Sequence, residues 1–163
     1  MNPVANSGEE CFKSALAKAR QWCASDERCP LDVKLKLIKL ECSPTDINRI
    51  IEILTQEGFI SEQRYAVAYT SGKFRILKWG KIKIASGLRM KKFSEKIIAD
   101  ALIHIDEEAY RVCLQTLLKK KQKELGRLSS KDLRHKLARF ALQKGYEYEL
   151  VFTILNALKE KIN

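Results

Sequence analysis

Nine Lys or Arg fall between Gln63 and Ser94 with no Asp or Glu among them: Arg64, Lys73, Arg75, Lys78, Lys81, Lys83, Arg89, Lys91 and Lys92. A solvated helix surface ordinarily interleaves both signs, so a one-signed tract of this length either repels itself or faces an anion. The chemistry these residues can do is recognition of phosphate or carboxylate by charge. A second group, Lys119, Lys120, Lys121, Lys123 and Arg127, reads as a lower-ranked anion patch. It could equally be a solvated helix end, favoured at the negative pole of the helix dipole. Trp79 and Gly80 lie inside the first tract. Trp79 could stack on a base, pack beneath an Arg, or simply be core at a helix junction. Tyr65 and Tyr69, one helical turn apart, read as core or half-buried residues.

Residues for bond-making chemistry are absent from the pattern. The chain has two His, His104 and His135, neither at a ligand spacing from a Cys or carboxylate pair. No phosphate-binding glycine loop, HExxH or GxSxG occurs. The five cysteines are odd in number and form no CxxC. They are expected as reduced small hydrophobes in a reducing compartment, with zinc on Cys23, Cys29 and a His as a minor alternative. No enzyme, metal or cofactor is expected. No apolar run approaches the roughly 20 residues of a bilayer span, and the N-terminus lacks the charged and apolar regions of a secretory signal. A cytoplasmic protein without a membrane contact is expected.

The elements that must position the basic tract are helices. The 163 residues are 45% hydrophobic with seven Gly and three Pro. That composition suffices for a core and favours an all-α fold. Residues 1–8 read as disordered. Apolar residues at three- and four-residue steps then predict nine helices. The first runs from Glu9 to Ser25 (Cys11, Phe12, Ala15, Leu16, Ala19, Trp22, Cys23 inward), the second from about Leu31 to Glu41 (Val33, Leu37, Ile38, Leu40). The third follows the Ser43-Pro44-Thr45-Asp46 start signal and ends at Gly58. A fourth opens at Ser61-Glu62, and a fifth covers Lys81 to Lys91 (Ile82, Ile84, Ala85, Leu88). Ser94 caps the sixth. The seventh, Asp106 to Leu125, is expected to turn Ala109, Val112, Cys113, Thr116 and Leu117 inward. Ser129 or Ser130 caps the eighth, Gly145 stops it, and Glu147 to Lys159 form the ninth.

Three of these helices share one spacing: Ile47-x-x-Ile50-Ile51-x-x-Leu54, Ile98-x-x-Ala101-Leu102-x-x-Ile105 and Val151-x-x-Ile154-Leu155-x-x-Leu158, 51 and 53 residues apart. With the matching helix order before each, this predicts three tandem three-helix, helix-turn-helix-like repeats, 9–59, 60–106 and 107–163, in an elongated, curved array.

Several stretches then resemble a known family. They are Ile60-Ser61-Glu62-Gln63-Arg64-Tyr65-Ala66-x-Ala68-Tyr69, Lys73-Phe74-Arg75, Trp79-Gly80-x-x-Lys83-Ile84, Leu88-Arg89-x-Lys91 and Phe140-Ala141-Leu142-Gln143-Lys144-Gly145-Tyr146. Together they resemble the signature of RecX proteins, over roughly residues 9–160 and most densely over 59–105. Lys92-Phe93 stands where that family has a Gly after Lys91. Cys29-Pro30-Leu31 and Leu40-Glu41-Cys42 stand where its first repeat has a polar cap and a Lys-x-Gly ending. The resemblance implies three helical repeats and regulation of the RecA recombinase in DNA repair, recombination and the SOS response. It implies binding to the RecA–DNA filament, limiting its growth and suppressing strand exchange, ATP hydrolysis and co-protease action. RecA is then the expected partner, with single-stranded or duplex DNA bound weakly alone, by a monomer. The assignment of individual basic residues to that contact rests on charge. The alternative is a nucleic-acid-binding helix-turn-helix module acting without RecA. A purely structural scaffold is a third reading.

Overall fold

The computed structural model describes residues 3–126 and 129–160. Among the described residues there are nine helices and no strand. They are α1 Pro3–Ser25, α2 Pro30–Lys39, α3 Pro44–Gln56, α4 Glu62–Leu77, α5 Lys81–Met90, α6 Glu95–Leu102, α7 Glu107–Leu125, α8 Ser130–Lys144 and α9 Tyr148–Glu160. Three starts follow the expected caps, Ser43, Ser94 and Ser129, while Asp106, expected as the first residue of the seventh helix, is its cap. Ser43, Ser94, Asp106 and Ser129 each accept a hydrogen bond from the backbone N–H three residues on, of Asp46, Ile97, Ala109 and Asp132. Each such cap satisfies a donor that the helix itself leaves open, worth about 1 kcal/mol. The N-terminus departs from expectation: α1 begins at Pro3, whereas residues 1–8 read as disordered. Met1 and Asn2 lie outside the described residues.

The chain divides into two compact units, Met1–Ala68 with Lys91–Phe93, and Tyr69–Met90 with Ser94–Asn163. In the first, α1, α2 and α3 close around Phe12, Leu16, Ala19, Val33, Leu37, Ile50 and Leu54. In the second, α5 packs on α6, and α7, α8 and α9 pack on one another. Its buried residues include Ile84, Leu88, Ile98, Tyr110, Leu114, Leu118, Ala141, Tyr146 and Val151.

The expected faces of α3, α6 and α9 hold, and four others need correction. Cys11 of α1 is exposed. Ile38 and Leu40, expected inward on α2, are half-exposed, and so is Ile82 on α5. On α7 the buried stripe is Tyr110, Leu114 and Leu118, while Ala109, Val112 and Thr116 face solvent. Between 109 and 118 that helix carries apolar residues at 109, 110, 112, 113, 114, 117 and 118, which make two overlapping stripes rather than one. The stripe that wins buries the larger side chains, and it includes a Tyr whose hydroxyl finds partners.

The backbone shows the repeat in a feature that periodicity does not contain. Glu41, Lys92 and Gly145 all have positive φ, at 59°, 70° and 89°. They are 51 and 53 residues apart, the same steps that separate the matched apolar residues. Each follows the middle helix of a repeat and turns the chain into the last. After Glu41, Cys42 N–H reaches back to the Leu37 carbonyl, and after Gly145, Tyr146 N–H reaches the Ala141 carbonyl. This is the left-handed helix ending that normally calls for glycine. Only the third repeat has one. A side chain in this region is strained by about 1 kcal/mol, so Lys92→Gly is expected to raise stability by about that amount. The check is chemical denaturation, with a later midpoint at unchanged slope.

Candidate functional site

Four cations of the basic tract are matched by acids outside it, three of which lie far away in sequence. Arg64, on α4, donates from Nε to Glu27 at 2.7 Å and from Nη2 to the Gly58 carbonyl at 2.8 Å. It closes one side of an open cleft of about 410 Å³ lined by Cys23, Asp26, Glu27 and Phe59 among others. Lys81, at the start of α5, pairs with Glu107 and lies 4.9 Å over the Tyr110 ring. Arg89 grips Glu95 with two parallel bonds of 2.6 and 2.8 Å. Lys91 reaches both carboxylate oxygens of Asp32, at 2.7 and 2.9 Å. These four cations already have acidic partners within the chain.

The Lys91 contact is the most sheltered of them. Its side chain and that of Asp32 are about a quarter exposed, and Cys29, fully buried, has its sulfur 4.0 Å from Lys91 Nζ. Tyr65 donates to Asp32 at 3.3 Å and stacks on Phe93. Burial pushes against the Asp32 carboxylate, yet hydrogen bonds from Lys91, Cys29 and Tyr65 outweigh it and hold its pKa below the usual value. Burial likewise opposes the Lys91 ammonium, and its bonds to Asp32 and Tyr65 outweigh that, so its pKa is raised. The Tyr65 phenol is pushed up to about 12, chiefly by burial. Burial also raises the Cys29 thiol.

What remains gathers around Trp79, in the second unit. α4 ends at Leu77, Lys78 takes a left-handed turn at φ 54°, and Trp79 follows. Gly80 is then clamped to the end of α8. Its N–H donates to the Lys144 carbonyl at 2.8 Å, and Ile82 N–H donates to the Gly145 carbonyl at 3.0 Å. Tyr146 donates to the Lys78 carbonyl. Tyr110 accepts from Lys81 N–H at 2.8 Å and donates to Glu147 at 2.7 Å. Burial pushes the phenols of Tyr110 and Tyr146 far above their usual range. The Trp79-Gly80 and Lys144-Gly145-Tyr146 motifs, 65 residues apart, are thus two halves of one joint.

That joint presents cations. Lys73 Nζ sits 5.1 Å from the Tyr69 ring centre and 5.0 Å from that of Trp79. Lys83 Nζ is 4.8 Å from Trp79 and donates to the Gln143 carbonyl at 3.4 Å. Lys144 Nζ donates to the Leu77 carbonyl at 3.3 Å. Among the described residues none of these three pairs with a carboxylate, and neither do the exposed Arg75 and Lys78 beside them. Ammonium groups held over an indole lose some freedom, so an anion meets them already placed. Trp79 itself is half-buried: it is the anvil on which two lysines rest. Lys144 lies outside the tract that local charge picks out, and its motif with Gly145 is the sequence signal for it. Lys92 belongs to the other unit and is exposed. Of the second cluster, Lys119, Lys120 and Lys123 are exposed on α7, and Lys121 pairs with Glu124 at 3.1 Å. Arg127 lies outside the described residues.

Among the described residues no three His, Cys, Asp or Glu stand close enough to hold a metal ion, and no helix is long and apolar enough to cross a membrane.

Comparison with known proteins bears on the whole of this architecture. Residues 61–102 match the family model for the second three-helix domain of RecX, and residues 106–155 match that for its third. The chain is 30% identical over 156 residues to the regulatory protein RecX of Clostridium perfringens strain 13, covering 91% of this chain and 68% of that one. With the RecX of Clostridium acetobutylicum the identity is 26% over 159 residues, 95% and 73% of the two chains. The crystal structure of RecX from Lactobacillus salivarius superposes with a TM-score of 0.82 at 23% identity, covering 93% of this chain and 98% of that one.

Proposed function

The chain belongs to the RecX family, and from that premise we propose that it regulates RecA by binding the RecA–DNA filament and lowering its ATPase, recombinase and co-protease activities. The observation that carries this reading is the set of lysines around Trp79, uncompensated by any acid among the described residues and held in place by the Gly80–Gly145 joint. A regulator of this kind acts by occupying a surface, and a filament offers both acidic side chains and phosphates to a cationic one. It works in the cytoplasm, as a monomer, with free DNA bound weakly, and it requires no active site.

The test is RecA's DNA-dependent ATPase with the full chain titrated in. Lys73→Glu/Lys83→Glu is the informative variant, because Lys81, Arg89 and Lys91 are already paired with Glu107, Glu95 and Asp32. Removing two charge-assisted interactions should weaken inhibition at least about tenfold. A wild type that leaves RecA unaffected while binding DNA, with affinity falling steeply as salt rises, would assign the chain to the module that acts without RecA.

A further inference from the structure

The three repeats carry an internal control for what the fold requires. The last helix of each buries the same positions: Ile47, Ile98 and Val151, then Ile50, Ala101 and Ile154. At two other positions they differ. Tyr148 and Phe152 of α9 take the places of Pro44 and Asn48 in the first repeat and Glu95 and Ala99 in the second. The repeat therefore packs without an aromatic at either place. In the third it has two, and Tyr148 is 63% exposed. Their ring centres are 4.2 Å apart with planes inclined at 37°. Arg134 of α8 holds its guanidinium 5.3 Å from the Phe152 ring centre and donates to Asn156 Oδ1 at 2.8 Å. Its partner is an amide, so its positive charge is not cancelled. Outside the joint, the rest of α8 is of the same sign: Lys131, Lys136 and Arg139 against the single acid Asp132.

We propose that Tyr148, Phe152 and Arg134 form a stacking platform for unpaired bases of a single-stranded nucleic acid, with the basic residues of α8 attracting its phosphates. A base has an apolar π-face bordered by a negative backbone, and this surface is its complement: an open ring, a second ring behind it, and cations beside them. An acidic protein would satisfy the charges and leave the ring face unused, while an apolar one would strand the charges. The platform is separate from the lysines around Trp79 and does not rest on the RecA reading, so its test omits RecA.

That test is fluorescence anisotropy of the full chain with labelled oligo-dT and with an abasic strand of equal length. The wild type is expected to bind oligo-dT roughly tenfold more tightly than the abasic strand. Tyr148→Ala should remove that advantage, leaving the abasic affinity and the salt dependence as they were, since stacking releases no counterions. Tyr148→Trp should keep it. Arg134→Gln should reduce the slope of log affinity against log salt by about 1. The unchanged abasic affinity of Tyr148→Ala also reports that the variant is folded. Equal wild-type affinity for the two strands, no binding to either, or full activity in Tyr148→Ala would each overturn the proposal. Wild-type affinity in Tyr148→Leu would overturn it too, and would assign the face to an apolar protein partner.

Discussion

Gly80→Ala is expected to lower the melting temperature by roughly 10 °C, a loss of about 4 kcal/mol. The reason is geometric. A Cβ at position 80 would lie 2.2 Å from both the carbonyl carbon and the oxygen of Gly145, and 2.3 Å from Tyr146 N. These are backbone atoms, and they cannot swing aside as a lysine tip would. Relief requires separating the start of α5 from the end of α8. That breaks the bond from Gly80 N–H to Lys144 and the bond from Ile82 N–H to Gly145, and leaves the joint's carbonyls and amides without partners in a region already sealed by Tyr110 and Tyr146. Gly145→Ala meets the same joint from the other side, with a Cβ 2.3 Å from that of Lys83 and a φ of 89°. Gly72→Ala is the contrast. It lies within α4 with nothing within 4 Å of a new Cβ, so helix propensity alone acts and stability should rise by up to about 1 kcal/mol. Circular dichroism melts of the three variants settle the matter. A Gly80→Ala melt within 2 °C of wild type, by the same conversion about 1 kcal/mol or less, would mean that the joint is loose. The lysines on Trp79 would then have no fixed frame.

The repeat and its capped helix starts were legible because they depend on residues close together in sequence. Ser43, Ser94 and Ser129 act on amides three positions on, and the spacing of Ile47, Ile98 and Val151 repeats over a short stretch. The candidate site was legible only in part, for the opposite reason. Counting charge along the chain finds a tract without acids, but Glu27, Asp32, Glu95 and Glu107 arrive there through the fold, from 37, 59, 6 and 26 residues away. Four of the nine cations are thereby taken. The departures from the family pattern at Lys92 and Glu41 pointed to the turns, and the turns kept their left-handed geometry despite the non-glycine residues. Core packing on either side holds a conformation that the local sequence disfavours.

Removing the carboxylate that faces Lys91 should be the second large loss. Asp32→Leu leaves an ammonium beside the fully buried Cys29 with no counter-ion. One-sided removal from a fully buried pair costs roughly 3–5 kcal/mol. Here both side chains keep about a quarter of their exposure, so about 2 kcal/mol is expected after solvent screening. Lys91→Met should cost less, because Asp32 retains the Tyr65 hydroxyl and the Cys29 thiol as donors. The double variant Asp32→Leu/Lys91→Met should recover much of the loss, since neither charge is then stranded. The pH dependence separates this account from simple mispacking. Asp32 has a folded pKa below its ordinary 3.8, so its contribution is present above that pH and disappears as pH falls through the lower folded value. Lys91 has a folded pKa above 10.5, so its contribution is complete below that pH and is lost as pH rises through the higher folded value. Tyr65 adds to the alkaline loss, between its ordinary 10.0 and about 12. Denaturation midpoints should therefore show a gap between wild type and Asp32→Leu that is constant from about pH 5 to 9 and closes in acid. A gap that persists unchanged below pH 3.8 would show that leucine at this position fails by shape, and that the ion pair contributes little to holding Lys91 in place.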